Sequence, residues 1–265
     1  MDSFFYTVIL AGAISGASTG LLGVYIIGMR MPFIGTCISH AAMAGTMFGI
    51  LLGIGALPGA IAAAAITSAS LAAIKPGRAR MDTNVGLAIL FTLMLGLTFL
   101  GMGLIEGSRS EVLGLLWGSI LFVDSGSVIG IAIIAAALAG FLAMFNKEMK
   151  AILFSRSMAQ ATGVHQGFVY VLFLVLCGVV LSMNLKMIGG LMIFSLITNP
   201  AAASYQMFRG YRAVVSGATL LGMFTAIAGF IVSFYLDLPT GACIVVVSAL
   251  IFAAAVGIRK IREKS

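Results

Sequence analysis

Residues 29–45 read MRMPFIGTCISHAAMAG and mark the boundary between two long apolar runs. Arg30 lies in the short break between the runs, whereas His40 lies well inside the second run. A histidine in such a segment costs free energy unless it has partners. On a helix, Thr36 and Cys37 lie four and three residues before His40, so the three side chains share one face and can converge on one bound atom. The stretch therefore predicts a membrane-spanning helix with a candidate ion site.

The composition excludes a water-soluble protein. Hydrophobic residues make up 61% of the chain and charged residues only 9%, whereas a soluble domain carries about a quarter charged residues. Almost every residue falls within an apolar run of about 17 to 25 residues, the length that spans a bilayer, or in a short connection. The first run lacks the basic region of a cleavable signal peptide and is interpreted as a retained span. We therefore expect one transmembrane domain over residues 1–265.

The apolar runs predict an all-α bundle of eight or nine transmembrane helices. Nine crossings follow if the run that is broken near Asp124 counts as one span, and eight is the nearest alternative. The runs are 5–29, 33–56, 58–74, 85–105, 112–145, 167–185, 188–207, 213–236 and 241–258. Glycines at four-residue spacing in the first two runs favour close packing of helix backbones in lipid. They are Gly12, Gly16, Gly20, Gly45, Gly49 and Gly53.

The net charge of +7 does not indicate nucleic-acid binding, because no basic stretch carries interleaved aromatic residues. The positions of the basic residues instead predict how the chain is oriented in the membrane. If the carboxyl terminus lies in the cytoplasm, all of the 15 lysines and arginines except Arg109 and Lys186 lie on that side, as the positive-inside rule requires. The amino terminus is then expected outside. The three cysteines form no CxxC, so neither a disulfide framework nor a zinc ribbon is expected.

Polar residues recur in two later regions. Ser195, Thr198 and Asn199 precede a proline in the seventh run. They can satisfy the carbonyl that the proline frees one turn earlier, or they can line a pathway. Asp237 is expected in an external turn, near the mouth of such a pathway. The polar connection 146–166 contains an amphipathic helix pattern at 151–163, which can dock on a soluble partner or lie on the lipid surface.

Several stretches, taken in order, resemble the membrane permeases of bacterial and archaeal zinc and manganese ABC importers. The first joins Arg30 to Ser39-His40-Ala41, like the Arg-Met turn and Ser-His-Ala signature of that family. Three departures are Thr36 in place of an aspartate, Asn199 in place of an apolar residue and Arg156 near an acidic position. The remaining matching stretches are 81–86, 113–121, 155–163, 188–202 and 234–241.

The resemblance implies a transporter subunit of the inner (plasma) membrane and not an enzyme. Such a permease forms the path of a divalent metal ion, zinc or manganese, within a dimer made with a second copy or a sister permease, in contact with lipid. It takes the metal from a periplasmic or extracellular binding protein and is driven by a cytoplasmic ABC ATPase. The chain has no GxxxxGK[ST], so ATP is expected in that partner. The resemblance assigns coupling to the ATPase to Arg156, Ala159 and Gly163.

In the family pattern an aspartate at the position of Thr36 and the histidine at His40 bind the metal; here Thr36 offers a hydroxyl, and the adjacent Cys37 offers a thiolate, so Thr36, Cys37 and His40 are the candidate metal ligands. Other cargoes remain open, namely iron, cobalt or a metal chelate. A non-transporting membrane scaffold or sensor also remains open, because Thr36 removes the carboxylate of the family pattern. An intramembrane hydrolase is disfavoured, since no HExxH occurs and Ser39 points to a different helix face from His40.

Overall fold

A computed structural model describes residues 2–73, 83–105, 114, 118, 125–154, 166–190 and 192–263. Within these residues every regular element is an α-helix, which confirms the all-α prediction. A bilayer enforces this choice, because a helix satisfies its backbone hydrogen bonds internally. The helices are α1 (Asp2–Gly28), α2 (Phe33–Leu51), α3 (Ala56–Ala73), α4 (Thr83–Leu104), α5 (Ser125–Met144), α6 (Asn146–Phe154), α7 (Gln166–Ile188), α8 (Ile193–Met207), α9 (Tyr211–Leu236) and α10 (Thr240–Arg262).

The predicted count of eight or nine spans is too high for the described part of the chain. Seven of its helices are long and apolar enough to cross a membrane, namely α1, α2, α4, α5, α7, α9 and α10. The apolar part of α3, Ala56–Leu71, and the 15 residues of α8 are shorter. At 1.5 Å per residue they extend about 24 and 22 Å, less than the roughly 30 Å of hydrocarbon. The apolar run 188–207 overestimated α8 because the helix begins only after a turn at Gly189.

Two compact units divide the chain. The first comprises Met1–Ile27, Gly114–Ala135 and Asn184–Ser265, and the second comprises Gly28–Leu113 and Ala136–Met183. Nearly all of α1, together with α8, α9 and α10, therefore belongs to the first unit, whereas α2, α3, α4, α6 and most of α7 belong to the second. The candidate residues of the second run and those of the seventh run thus lie in different units.

In the second unit, α2 and α3 run antiparallel and cross through glycines. A Cβ atom on Gly45 would overlap the carbonyl oxygen of Gly59, and one on Gly49 would overlap that of Gly55. Gly55 has a left-handed φ of 95°, which glycine adopts at little cost. The predicted close approach at Gly45 and Gly49 is confirmed, whereas Gly53 lies in the turn after α2. The crossing holds α2 firmly against α3.

In the first unit, α1 crosses α9 in the same manner. A Cβ atom on Gly16 would overlap the carbonyl oxygen of Gly222, and one on Gly20 would overlap that of Ala218. Helices α8, α9 and α10 pack against one another. Both units therefore rely on small residues where their helices cross, as the glycine pattern predicts for packing in lipid.

Candidate functional site

Helix α2 carries the predicted ion site and is buried along most of its length. Every residue from Ile34 to Met47 is buried. The exposed fraction is 7% for Thr36, 0% for Cys37 and 3% for His40. All three candidate ligands therefore lie in the interior of the second unit, where an unsatisfied polar group is costly.

The ring of His40 is held so that one nitrogen remains a possible ligand. Its Nδ1 lies 2.9 Å from the carbonyl oxygen of Thr36, one turn earlier on α2. Because a carbonyl oxygen can only accept, Nδ1 carries the proton and Nε2 presents its lone pair. Nε2 forms no hydrogen bond with the residues that the structure describes. This is the arrangement by which metal-binding imidazoles are commonly oriented, with one nitrogen on a carbonyl and the other on the metal.

The face of α2 that bears Cys37 and His40 packs against α4. The Cys37 thiol donates a hydrogen bond of 2.8 Å to the carbonyl oxygen of Leu87. One turn further along α4, the ring of Phe91 lies edge-to-face with His40 at a centroid distance of 4.7 Å. Thr98 of α4 also reaches the carbonyl oxygen of His40 at 3.5 Å. In this state the thiol holds its proton and α4 covers the His40 ring.

Thr36, one turn before His40 on α2, has an unpaired side-chain oxygen. Its Oγ1 atom is buried and has no hydrogen-bond partner in the described part of the chain, and such an atom costs roughly 1–3 kcal/mol. No group of three or more His, Cys, Asp or Glu side chains that could hold a metal occurs among the described residues. Among the described residues, the candidate donors are thus one imidazole, one hydroxyl and one protonated thiol, fewer than the four ligands of a closed cage.

Helix α8 carries the polar residues of the seventh run, with Pro200 inside the helix. Asn199 Nδ2 donates to Ser248 Oγ of α10 at 2.8 Å, and Thr198 Oγ1 donates to the carbonyl oxygen of Phe194 at 2.8 Å. Neither bond reaches the carbonyl of Leu196, which the proline leaves without its usual donor. These two bonds therefore do not repair the helix at Pro200, and Asn199 instead joins α8 to α10.

Asp237 ends α9 in a left-handed conformation, with φ of 52°, and its side chain is exposed. The following turn is closed by Ser233, whose Oγ donates to the carbonyl oxygen of Leu238 at 2.6 Å and lies 2.9 Å from Thr240 Oγ1. A turn at Asp237 is confirmed, whereas its external side stays a prediction. The carboxylate is left free to face solvent because the turn does not depend on it.

The predicted coupling residues, Arg156, Ala159 and Gly163, lie outside the described residues. The preceding helix, α6, buries Met149 and Ile152 and leaves the ring of Phe154 85% exposed at its carboxyl-terminal end. A cleft of about 460 Å³ adjoins that end and is lined by residues 28–31 and 152–154. Of the amphipathic helix predicted at 151–163, only residues 151–154 are described, at the end of α6.

Sequence reasoning missed the contacts that α4 makes with the site. Leu87 and Phe91 are apolar residues one turn apart in a helix that consists mostly of apolar residues. Their spacing shows that they share a face, but nothing in the sequence indicates that this face meets α2. Ser248 was missed for the same reason, since its partner Asn199 lies 49 residues away.

The hydrolase alternative gains no support from the first unit. The letters GxSxG occur at residues 16–20, but these residues lie in the middle of α1. Ser18 Oγ donates to the carbonyl oxygen of Ser15 at 3.0 Å. The hydrolase motif requires a sharp strand-to-helix turn that exposes the serine, and a continuous helix does not provide it.

Comparison with known proteins gives matches over nearly the whole chain. Residues 1–259 match the ABC 3 transport family. The chain is 24% identical over 253 residues to the high-affinity zinc uptake system membrane protein ZnuB of Haemophilus influenzae, covering 95% of this chain and 96% of that protein. It is 27% identical over 260 residues to the manganese transport system membrane protein MntC of Halalkalibacterium halodurans, covering 96% and 86%. The fold resembles a chain of PsaBC from Streptococcus pneumoniae in complex with Fab, with a TM-score of 0.85, 22% identity and coverage of 95% and 90%.

Proposed function

Because the chain belongs to the ABC 3 transport family, we propose that it is the multi-pass permease subunit of an ATP-driven importer of a divalent transition-metal ion. The observation that carries this proposal is the family match over residues 1–259. The relatives named for zinc uptake and manganese transport each align with at least 95% of the chain. A permease subunit is a transporter component and not an enzyme.

His40 is proposed as the residue that contacts the metal during passage. Its Nε2 lone pair is the donor that requires no proton loss, because Nδ1 is held by the Thr36 carbonyl at 2.9 Å. The unpaired Oγ1 atom of Thr36 is buried close by in sequence and adds a neutral oxygen. Cys37 joins as a ligand only after its thiol leaves the Leu87 carbonyl and deprotonates. Such an incomplete site suits transport, since a closed cage would retain its metal.

The donor types favour zinc over manganese. Imidazole and thiolate groups suit zinc, whereas manganese prefers carboxylate, carbonyl and water oxygens. Thr36 stands where the family pattern has a carboxylate, and its hydroxyl is a neutral oxygen that gives manganese no anionic partner. Zinc is therefore the first cargo to test, with manganese, iron and cobalt as the alternatives.

The polar residues of the first unit are proposed to line another part of the path. Ser195, Thr198 and Asn199 lie within five residues of one another on α8, and Ser195 and Asn199 are only partly buried. Polar residues in membrane helices commonly mark pathways, and the bond of Asn199 to Ser248 holds its side chain between α8 and α10. Asp237 is exposed in the turn after α9 and provides a negative charge that attracts a cation towards that end of the bundle.

The transporter is proposed to work as an assembly in the inner (plasma) membrane. The partners are a second permease copy or a sister chain, a cytoplasmic ABC ATPase that binds ATP, and an external metal-binding protein. The carboxyl terminus lies in the cytoplasm, because that orientation places nearly all lysines and arginines inside. One transmembrane domain covers the chain.

Segment 146–166 is proposed as the element that couples the permease to the ATPase, with Arg156, Ala159 and Gly163 in its second half. Support comes from α6, where Met149 and Ile152 anchor the helix and Phe154 remains exposed. An exposed aromatic side chain beside a cleft is a typical anchor for a partner protein. ATPase movement would then reach α6 directly.

Metal uptake in cells that express this permease with its cognate ATPase and binding protein tests the proposal. We expect selective uptake of zinc that is lost in His40→Ala while the protein still inserts at normal levels. Ser39→Ala is the matched control, because Ser39 is equally buried on α2 but donates to the Thr36 carbonyl at 3.0 Å and does not offer an aromatic nitrogen. It should retain uptake.

Uptake that is unchanged in His40→Ala would contradict the role of His40 and move the site to Cys37 or to the α8 residues. Uptake of another metal by the parent would retain the permease function and replace zinc as the cargo. No uptake of any metal by a correctly assembled complex would contradict the transport proposal and favour a scaffold.

A further inference from the structure

A positively charged cleft lies at one end of the first unit and has no role in the transport path described above. Its volume is about 410 Å³. It is lined by residues 205–209 and by Arg259, Arg262 and Glu263. Three arginines and one glutamate therefore face one small space at the junction of α8 and α10.

The cleft lies where the helices leave the membrane. Arg259 and Arg262 are in the last turn of α10, and Arg209 stands between α8 and α9. Since α9 ends only a few residues before α10 begins, the start of α9 and the end of α10 lie on the same side of the unit. The cleft is thus at the level of lipid headgroups, on the side that the positive-inside rule assigns to the cytoplasm.

Part of the cleft is a fixed arrangement. Arg259 donates to Gln206 Oε1 at 2.6 Å and to Glu263 Oε1 at 2.8 Å. Arg262 lies 3.5 Å from the carbonyl oxygen of Met207. Arg259 is thus braced across the gap between α10 and α8, and its charge is largely compensated by Glu263.

The two remaining arginines supply the uncompensated charge. Arg209 and Arg262 form no ion pair with any residue that the structure describes, and both are exposed. Apolar side chains stand beside them, since the exposed fraction is 38% for Phe208, 39% for Ile258 and 69% for Ile261. A cationic cleft next to exposed apolar side chains matches a molecule with an anionic head and an apolar body.

We propose that Arg209, Arg259 and Arg262 form a binding site for the phosphate group of an anionic phospholipid. Basic pockets between helix ends on the cytoplasmic side recognise such headgroups. Guanidinium groups bind phosphate oxygens through paired hydrogen bonds. The acyl chains lie along Phe208, Ile258 and Ile261. The lipid joins the ends of α8 and α10, and so stabilises the end of the first unit from outside.

Native mass spectrometry of the complete transporter tests the site. The complex is purified in detergent micelles doped with phosphatidylglycerol or with phosphatidylcholine, and the lipids retained are counted. We expect preferential retention of phosphatidylglycerol that falls about tenfold for each of Arg209→Gln and Arg262→Gln, because each change removes a charge-assisted hydrogen bond to the phosphate group. Arg212→Gln and Lys260→Gln are the matched controls, because both residues are exposed near the cleft but do not line it.

Glu263→Gln gives the opposite prediction, which a folding defect does not imitate. Removing the carboxylate frees Arg259, so retention of phosphatidylglycerol should rise a few-fold.

Equal retention of both lipids by the parent would overturn the proposal, as would equal losses in the cleft and control variants. Inorganic phosphate should displace phosphatidylglycerol from the parent and from the control variants but not from Arg209→Gln or Arg262→Gln, because the site recognises the phosphate group. Displacement from all variants alike would overturn the proposal. Loss of the ATPase from Arg262→Gln with lipid unchanged would assign the cleft to that protein instead and overturn the lipid site.

Discussion

Gly45→Ala is the sharpest test of how α2 is held. The new Cβ would overlap the carbonyl oxygen of Gly59 and lie 2.5 Å from the Cβ of Ala63, whereas carbon atoms pack best at about 3.5–4.0 Å. The two helices must therefore separate by about 1 Å. Overpacking of this kind costs about 1–3 kcal/mol of stability. We expect about 2–3 kcal/mol here, because the obstacle is a backbone carbonyl, which cannot rotate away as a side chain can.

Gly96→Ala on α4 is the matched control for the same chemical change. A Cβ atom on Gly96 meets nothing within 4 Å, so this variant should be neutral or gain up to about 1 kcal/mol from helix propensity. The gain in helix propensity applies to both variants and cancels, so the expected difference between them is about 2–3 kcal/mol. At about 2–4 °C per kcal/mol for a chain of this size, Gly45→Ala should melt roughly 4–12 °C below Gly96→Ala.

The chain supplies its own probe for this measurement. Its three cysteines are free and buried, so a thiol-reactive fluorescent dye labels them only as the helices separate. The purified protein in detergent is heated with the dye, and the midpoint of labelling is compared between variants. Equal midpoints for Gly45→Ala and Gly96→Ala would refute the close crossing of α2 and α3.

Four further outcomes follow from the candidate site. In Cys37→Ser a hydroxyl can still donate to the Leu87 carbonyl, which accepts from the thiol at 2.8 Å in the parent, so the melting temperature should change little. Zinc uptake should fall severalfold, since a hydroxyl does not replace a thiolate on zinc. Full uptake would remove Cys37 from the ligand set. Asn199→Ala loses the 2.8 Å bond to α10 and should lower the stability of the protein by about 0.6–2 kcal/mol. The same dye measures the change, and an unchanged labelling midpoint would show that the bond does not form. In Asp237→Asn the asparagine tolerates the left-handed φ of 52°, so the variant should melt like the parent. Its metal uptake at low metal and low salt should fall severalfold because the negative charge is lost. Unchanged uptake would argue against attraction of the cation by Asp237. Phe154→Ser should reduce the ATPase that co-purifies with the permease because the ring is 85% exposed; unchanged recovery would exclude this anchor.

Much of the fold was predictable because the bilayer leaves few choices. Composition identifies a membrane protein, and an apolar run in lipid must become a helix. The span count was less secure, since hydropathy measures how many residues are apolar and not where a helix begins. The turn at Gly189 shortens α8 to 15 residues, although the run around it is apolar for longer.

The candidate site was predictable only within one helix. The spacing of Thr36, Cys37 and His40 follows from the helical period, and their burial follows from the apolar run. The sequence does not show that the Cys37 thiol is bound to the Leu87 carbonyl or that Phe91 covers the imidazole ring. Both contacts depend on which face of α4 meets α2.

Local pattern therefore determined what the elements are, namely apolar helices with small residues at regular spacing and positive charges at their ends. Tertiary structure decided which helices meet and on which faces. Gly45 and Gly49 of α2 meet α3, and Gly16 and Gly20 of α1 meet α9. The arginines of one cleft come from positions about fifty residues apart in the chain. The physical reason is that lipid is as apolar as the helix surfaces, so hydropathy does not distinguish a face that meets lipid from one that meets another helix, and only the fit of backbones and side chains makes that choice.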